Sequence, residues 1–187
     1  MSQADLFNEP ATEASVNHVD RMPWAEAKAI ADRIVEELRP SVQRIEIAGS
    51  LRRRTPTVGD IELVIIKDHE QIYRLIKIVD GWTFVKGKAT GKYCQRILPE
   101  GIKLDLFFAT ADNWGNIFTI RTGSAEWSHG VLAKTWVRRG FRSVDGLLRP
   151  VLANGEDLGD PIPMREERDL FDFLGLAWVE PEDRNVK

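Results

Sequence analysis

At 187 residues, with 43% hydrophobic and 29% charged positions, the chain is long enough to bury a core and too apolar for wholesale disorder. A formal net charge of −3 excludes a global attraction to nucleic acid or to an anionic membrane. The single cysteine, Cys94, excludes an internal disulfide and a cysteine-rich metal centre. The sequence shows neither a secretory signal nor an apolar run of the ~18 residues a membrane span needs, so a soluble, cytoplasmic or otherwise intracellular protein with no membrane partner is expected.

Residues 1–20 show little periodicity and read as a flexible lead-in. From Trp24 the apolar residues Ala27, Ile30, Ala31, Ile34, Val35 and Leu38 recur at helical spacing. Pro23 suits the first turn of that helix and Pro40 stops it. Residues 44–48 then alternate as a strand, and Gly49-Ser50 predicts a tight turn after it. Three arginines, Arg52 to Arg54, and Gly59 lead into a second strand over 60–66, whose distal half is continuously apolar and belongs in the centre of a sheet. A helix is predicted over 69–79, followed by strands at 82–85, 93–98 and 102–108. The basic glycine-containing turn 86–92 and the turn Pro99-Glu100-Gly101 separate these three strands. Further helices are predicted to about Ile120, from Ala125 to Arg139 with Gly140 as a left-handed cap, and near 165–174. Trp127 and Trp136 lie nine positions apart, about 180° around a regular helix, which predicts that they face different surroundings. Cys94 reads as a packed thiol.

Charge is unevenly distributed. Residues 86–103 carry Lys86, Lys88, Lys92, Arg96 and Lys103 against Glu100 alone, and residues 121–142 carry five basic residues against Glu126 alone. A phosphate feels charge locally, within roughly a Debye length of ~10 Å, so a near-neutral chain can still present basic surfaces. The alternative is that both runs are simply solvated.

The chemical signal lies in the carboxylates. Asp60 and Glu62 share one face of their predicted strand, roughly 7 Å apart along it. Asp105 sits within the apolar run Ile102, Leu104, Leu106, Phe107 and Phe108, where a buried carboxylate needs partners or a metal. Three such groups brought together repel unless protonated or neutralised, and hard cations such as magnesium take oxygen ligands. Asp-x-Glu alone is also common on exposed strands. Gly49 and Ser50, in a turn just before it, can offer amides and a hydroxyl to a phosphate, and Arg53 can offer charge-assisted hydrogen bonds.

The runs Gly49-Ser50-Leu51-Arg52-Arg53, Gly59-Asp60-Ile61-Glu62-Leu63-Val64-Ile65, Lys103-Leu104-Asp105-Leu106 and Arg121-Thr122-Gly123-Ser124 are followed by Glu167-Arg168-Asp169-Leu170-Phe171-Asp172-Phe173 and Glu180-Pro181-Glu182-Asp183-Arg184. In this order and spacing, over about residues 22–184, the chain resembles the DNA polymerase beta-like family, family X, of the nucleotidyltransferase superfamily. The resemblance implies an α+β fold. It consists of a nucleotidyltransferase palm over residues 21–110, with a small mixed sheet and packing helices, and a small C-terminal nucleotide-binding lobe over 111–187.

It implies a metal-dependent DNA-directed DNA polymerase that adds nucleotides to a primer 3′-hydroxyl at short gaps or ends. Asp60, Glu62 and Asp105 become the catalytic and metal-binding set for two Mg2+ ions, or Mn2+ in their place. Gly49, Ser50, Arg53, Gly59, Arg121, Thr122 and Gly123 become the site for a nucleoside triphosphate. Primer-template or gapped DNA becomes the partner, gripped by Lys86, Lys88, Lys92, Lys103, Lys134 and Arg138. Transfer to an RNA, small-molecule or protein acceptor, or a catalytically weak nucleic-acid-binding module, are the alternatives. The chain departs from the family pattern at several places. Glu62 stands where a second aspartate is usual, and Arg121 replaces an aromatic residue. Ala125, Ser128 and Leu132 stand where the family's base-reading side chains are usual, and no room remains for its lyase or full helix-hairpin-helix domains.

Overall fold

The computed structural model describes residues 21–185, so the lead-in expected over 1–20 lies outside the described residues. Met22–Pro23 forms the short strand β1, and helix α1 spans Trp24–Leu38, burying the apolar stripe Ala27, Ile30, Ala31, Ile34, Val35 and Leu38. Pro23 precedes the first helical residue rather than joining the first turn, which suits a residue that cannot donate a backbone hydrogen bond. Pro40 lies in the 3-10 turn Arg39–Ser41 that leads into strand β2, Val42–Ile47.

Gly49 and Ser50 do not make a simple turn: they open a one-turn helix, α2, over Gly49–Arg52. The Trp24 indole donates to the carbonyl of Leu51 at 2.8 Å, which fixes α2 against α1. Strand β3 (Thr57–Val58) pairs with β1, and β4 follows over Asp60–Lys67. Next come α3 (Ile72–Val79), β5 (Thr83–Gly87), β6 (Tyr93–Ile97) and β7 (Lys103–Ala109).

These build a five-stranded sheet in the order β2-β4-β7-β6-β5, in which β4 and β7 run parallel and the other neighbours antiparallel. Strand alternation divides its two faces. Ile61, Leu63 and Ile65 of β4 and Leu104, Leu106 and Phe108 of β7 pack into one core with Ala27, Ile34, Leu38 and Leu75 of the helices. The buried thiol of Cys94 joins this core, as expected, and its pKa is pushed up by burial to about 11. On the opposite face, Val64, Phe107 and Ala109 are covered through Trp114 and Phe118 by helix α4, Trp114–Thr122.

The C-terminal part continues with α5 (Ala125–Trp127), a π-helical stretch at Ser128–Ala133 and α6 (Lys134–Arg138). It then forms the hairpin β8 (Phe141–Val144) and β9 (Leu147–Pro150) and helix α7 (Glu167–Phe173). Gly140 takes the left-handed conformation predicted for it, with φ of 79°. Trp127 and Trp136 both enter one core with Leu132, Leu148, Leu170 and Phe171, contrary to the regular-helix expectation. The wider i→i+5 turn between them sets later residues back by about one position, roughly 100°, which returns Trp136 to the side of Trp127. The architecture is mixed α+β, a small mixed sheet with packing helices.

Candidate active site

The site lies on the sheet face that α4 only partly covers. Alternation places Asp60 and Glu62 there, and the parallel register sets Glu62 beside Asp105 and Asp60 beside Lys103. From the other side, the antiparallel register sets Gln95 beside Asp105 and Tyr93 beside Phe107. The Tyr93 hydroxyl donates to Oδ1 of Asp105 at 2.5 Å, and the Gln95 amide donates to the same oxygen at 2.7 Å.

All three carboxyls resist ionisation. Loss of solvation, reinforced by the charges of Asp60 and Asp105 and opposed by Arg121 and Arg53, pushes Glu62 up to about 8. Burial raises Asp60 as well, against the pull of Lys103, Arg21 and Arg53. Asp105 is raised by burial and by Asp60, although the Tyr93 and Gln95 hydrogen bonds and Lys86 oppose this. A cluster of oxygen donors whose charged forms are penalised by burial matches a hard divalent cation in donor chemistry.

The side chains do not form a ready cage. Among the described residues no group of three Asp, Glu, His or Cys side chains is arranged to hold a metal ion. Asp105 is held by Tyr93 and Gln95, whereas Glu62 leans toward Gly49. A Cβ added at Gly49 would fall 1.8 Å from the Glu62 Oε2, and Gly49 has a φ of +60°. That position therefore admits only glycine, for both space and backbone conformation.

Beside the carboxylates, the Ser50 hydroxyl and the Arg53 Nε are buried without a hydrogen-bond partner, an arrangement that normally calls for a ligand or water. The other end of Arg53 is committed, since its Nη1 donates to the backbone carbonyl of Thr122 at 2.7 Å. Burial lowers the Arg53 pKa, while Glu62 and Asp60 pull it back up. Its neighbours point elsewhere: Arg52 donates to Thr122 Oγ1 and to Glu167, each at 2.6 Å, and Arg54 pairs with Glu182 at 3.2 Å. Glu167 also receives the fully buried Arg184, so one carboxylate is clamped between two guanidinium groups. Burial alone would raise Glu167, but the hydrogen bonds and charges of Arg52 and Arg184 hold its carboxyl below the usual range.

Of the remaining candidate nucleotide contacts, Arg121 lies with its guanidinium carbon 3.9 Å from the centre of the Phe107 ring, and its charge reaches Glu62. Thr122 is buried, with both of its oxygens accepting from arginines. Gly123 abuts Trp127, whose ring would lie 2.4 Å from an added Cβ. Gly59 is less crowded: an added Cβ there would approach Arg21 Nη1 at 3.4 Å.

The candidate DNA contacts divide between two parts of the fold. Lys86, Lys88 and Lys92 are exposed, Lys92 paired with Asp145 at 2.5 Å, and Lys103 is half-buried beside Asp60. Lys134 and Arg138 lie on the exposed side of α6, the latter donating to Thr135 Oγ1 at 3.3 Å. Ser128 donates to the carbonyl of Ile120 at 2.8 Å and Leu132 is core, so both side chains serve internal packing.

Tyr93, Gln95, Arg21, Glu167 and Arg184 were absent from the sequence-derived site. One of them, Gln95, was readable. The turn at 99–101 pairs Leu98 with Ile102, and counting back along the two strands sets Gln95 against Asp105. The clamp on Glu167 joins residues 115 and 17 positions apart, for which no local pattern exists.

With this geometry in place, residues 128–185 match the family model of the DNA polymerase beta thumb. The match covers less than a third of the chain, so what is similar to that thumb is the C-terminal part from the π-helical stretch through α7 and the segment after it. No curated protein matches the chain. No helix among the described residues is long and apolar enough to cross a membrane.

Proposed function

We propose that the protein is a metal-dependent nucleotidyltransferase that moves a nucleoside monophosphate from a triphosphate onto a hydroxyl, with a primer 3′-hydroxyl in primer-template or gapped DNA as its acceptor. The observation that carries this reading is the placement of Asp60, Glu62 and Asp105 on one face of two adjacent parallel strands, beside the unpartnered Ser50 hydroxyl and Arg53 Nε. The similarity of residues 128–185 to the DNA polymerase beta thumb supports it.

In this proposal Asp60, Glu62 and Asp105 hold two Mg2+ or Mn2+ ions, which neutralise phosphate charge and favour loss of the hydroxyl proton. Ser50 and Arg53 receive the outgoing phosphates, with Gly59 close by and Gly49 making room for the Glu62 carboxylate. Arg121 and the Thr122-Gly123 segment border the nucleotide, Asp105 serves the acceptor side, and Lys86, Lys88, Lys92, Lys103, Lys134 and Arg138 grip the phosphate backbone. Residues 21–110 act as the palm and 111–187 as the nucleotide-binding lobe.

One observation keeps a second acceptor class in view. Ser128 and Leu132 are taken up by internal packing, which removes two side chains from base reading and leaves transfer to an RNA, small-molecule or protein hydroxyl as the rival. The test is incubation with labelled nucleoside triphosphates, Mg2+ or Mn2+, and a panel of gapped DNA, recessed DNA and RNA. Templated extension that disappears in Asp105→Ala is the expected result. Untemplated transfer to RNA favours the rival, and metal-independent binding without transfer refutes the enzymatic reading.

A further inference from the structure

We infer that Tyr93 and Gln95 are positioning residues for Asp105: by donating to the same carboxylate oxygen they fix the plane of the group and turn Oδ2 toward the acceptor hydroxyl. The inference rests on the nucleotidyl-transfer reading above. Both bonds fall on Oδ1, at 2.5 Å from the Tyr93 hydroxyl and 2.7 Å from the Gln95 amide. A carboxylate can accept several hydrogen bonds spread over its two oxygens, and merely satisfying a buried Asp105 calls for donors on both. Two donors on one oxygen instead define an orientation.

The donors are themselves held. Tyr93 stacks on Phe107 with ring centres 5.0 Å apart and planes 29° from parallel, and the Lys86 ammonium lies 5.0 Å from the centre of its ring. Gln95 is fixed by strand register directly opposite Asp105. β6 therefore presents a pair of held donors to Asp105, while the Glu62 carboxylate lies against Gly49. In the transfer step the acceptor oxygen bonds to the α-phosphorus, the bond from that phosphorus to the pyrophosphate oxygen breaks, and the hydroxyl proton passes to Asp105 Oδ2. Misplacement of a reacting group by about 1 Å can cost on the order of 100-fold in rate.

The experiment uses the full chain with Tyr93→Phe, which keeps the ring, and Gln95→Met, which keeps the length. Steady-state transfer is measured alongside thermal unfolding. The expected result is a fall in kcat of roughly 10- to 100-fold in each variant, with the KM for nucleoside triphosphate within about twofold and an unfolding midpoint shifted by a few degrees or less. Should one variant fail to fold, the other gives the same reading. A kcat within about twofold of wild type in both, while Asp105→Ala is inactive, overturns the positioning role and leaves the transfer reading intact. Absence of transfer by the wild-type chain on every acceptor overturns both.

Discussion

The two faces of the five-stranded sheet are built from the same strands and obey opposite rules. On one, Ile61, Leu63, Ile65, Leu104 and Leu106 are fully buried against α1 and α3, and the face gains its stability from apolar area removed from water. On the other, burial raises the resistance of Asp60, Glu62 and Asp105 to ionisation, with the charge of Asp60 adding to it at Glu62 and Asp105, and helix α4 covers the apolar positions Val64, Phe107 and Ala109. A sheet selected for stability alone has no reason to keep three solvent-starved carboxylates in one patch. The contrast separates residues that hold the protein together from residues expected to act.

Mutations that trade one face against the other test this separation. The largest expected effect is on activity: Asp60→Asn abolishes transfer, by on the order of 1,000-fold or more, while the unfolding midpoint stays level or rises because a costly charge is gone. A midpoint that collapses would assign Asp60 to structure instead. Next, Glu167→Gln leaves Arg184, 0% exposed, without its anionic partner, and a loss of about 3–5 kcal/mol in chemical denaturation is expected. Since the Glu167 carboxyl sits below its ordinary range in the fold, its contribution is fully present above the usual carboxylate range. It is lost as pH falls through the lowered value, so the variant also shows a weaker acid sensitivity.

On the opposite face, Leu63→Ala removes a side chain with 0% exposure and costs about 2–5 kcal/mol, with residual transfer tracking the folded fraction. Glu62 gives a smaller, pH-shaped effect of opposite sign. Its carboxyl is raised from 4.5 to about 8, so the folded chain binds a proton that the unfolded chain has lost, and stability falls as pH rises through that window. Urea denaturation of Glu62→Gln near pH ~5.5 and ~8.5 is expected to show a flatter profile than wild type. The smallest effect is Lys134→Ala on α6: stability changes by under about 0.5 kcal/mol, and affinity for gapped DNA drops with a shallower dependence on salt.

How much of this was readable depended on the range of the interaction. The stripe of α1, the alternation of β4 and the buried run of β7 announce themselves in short windows, because helix and strand periods repeat every few residues. The sharing of one face by Asp60 and Glu62 follows directly from that period. The pairing of Gln95 with Asp105 followed from the hairpin turn at 99–101 and needed only counting. The parallel pairing that sets Glu62 beside Asp105 did not: it requires a crossover through α3, β5 and β6, and nothing local encodes it. The sequence set Arg53 apart from Arg52 and Arg54 but carried no sign of their partners: Arg52 goes to Glu167, Arg53 to the Thr122 backbone and Arg54 to Glu182. The π-helical stretch that unites Trp127 and Trp136 breaks the very period from which their separation was inferred.

The most direct test of the central claim, that the charged face is built to take cations, is a titration of wild type and Asp60→Asn with Mn2+ followed by thermal unfolding. Binding to the folded chain raises stability by RT ln(1 + [Mn2+]/Kd), about 2.7 kcal/mol at a hundredfold excess over Kd. The wild-type midpoint is expected to climb with Mn2+ and that of Asp60→Asn to stay flat. Equal climbs in the two, or none in wild type, would contradict the account.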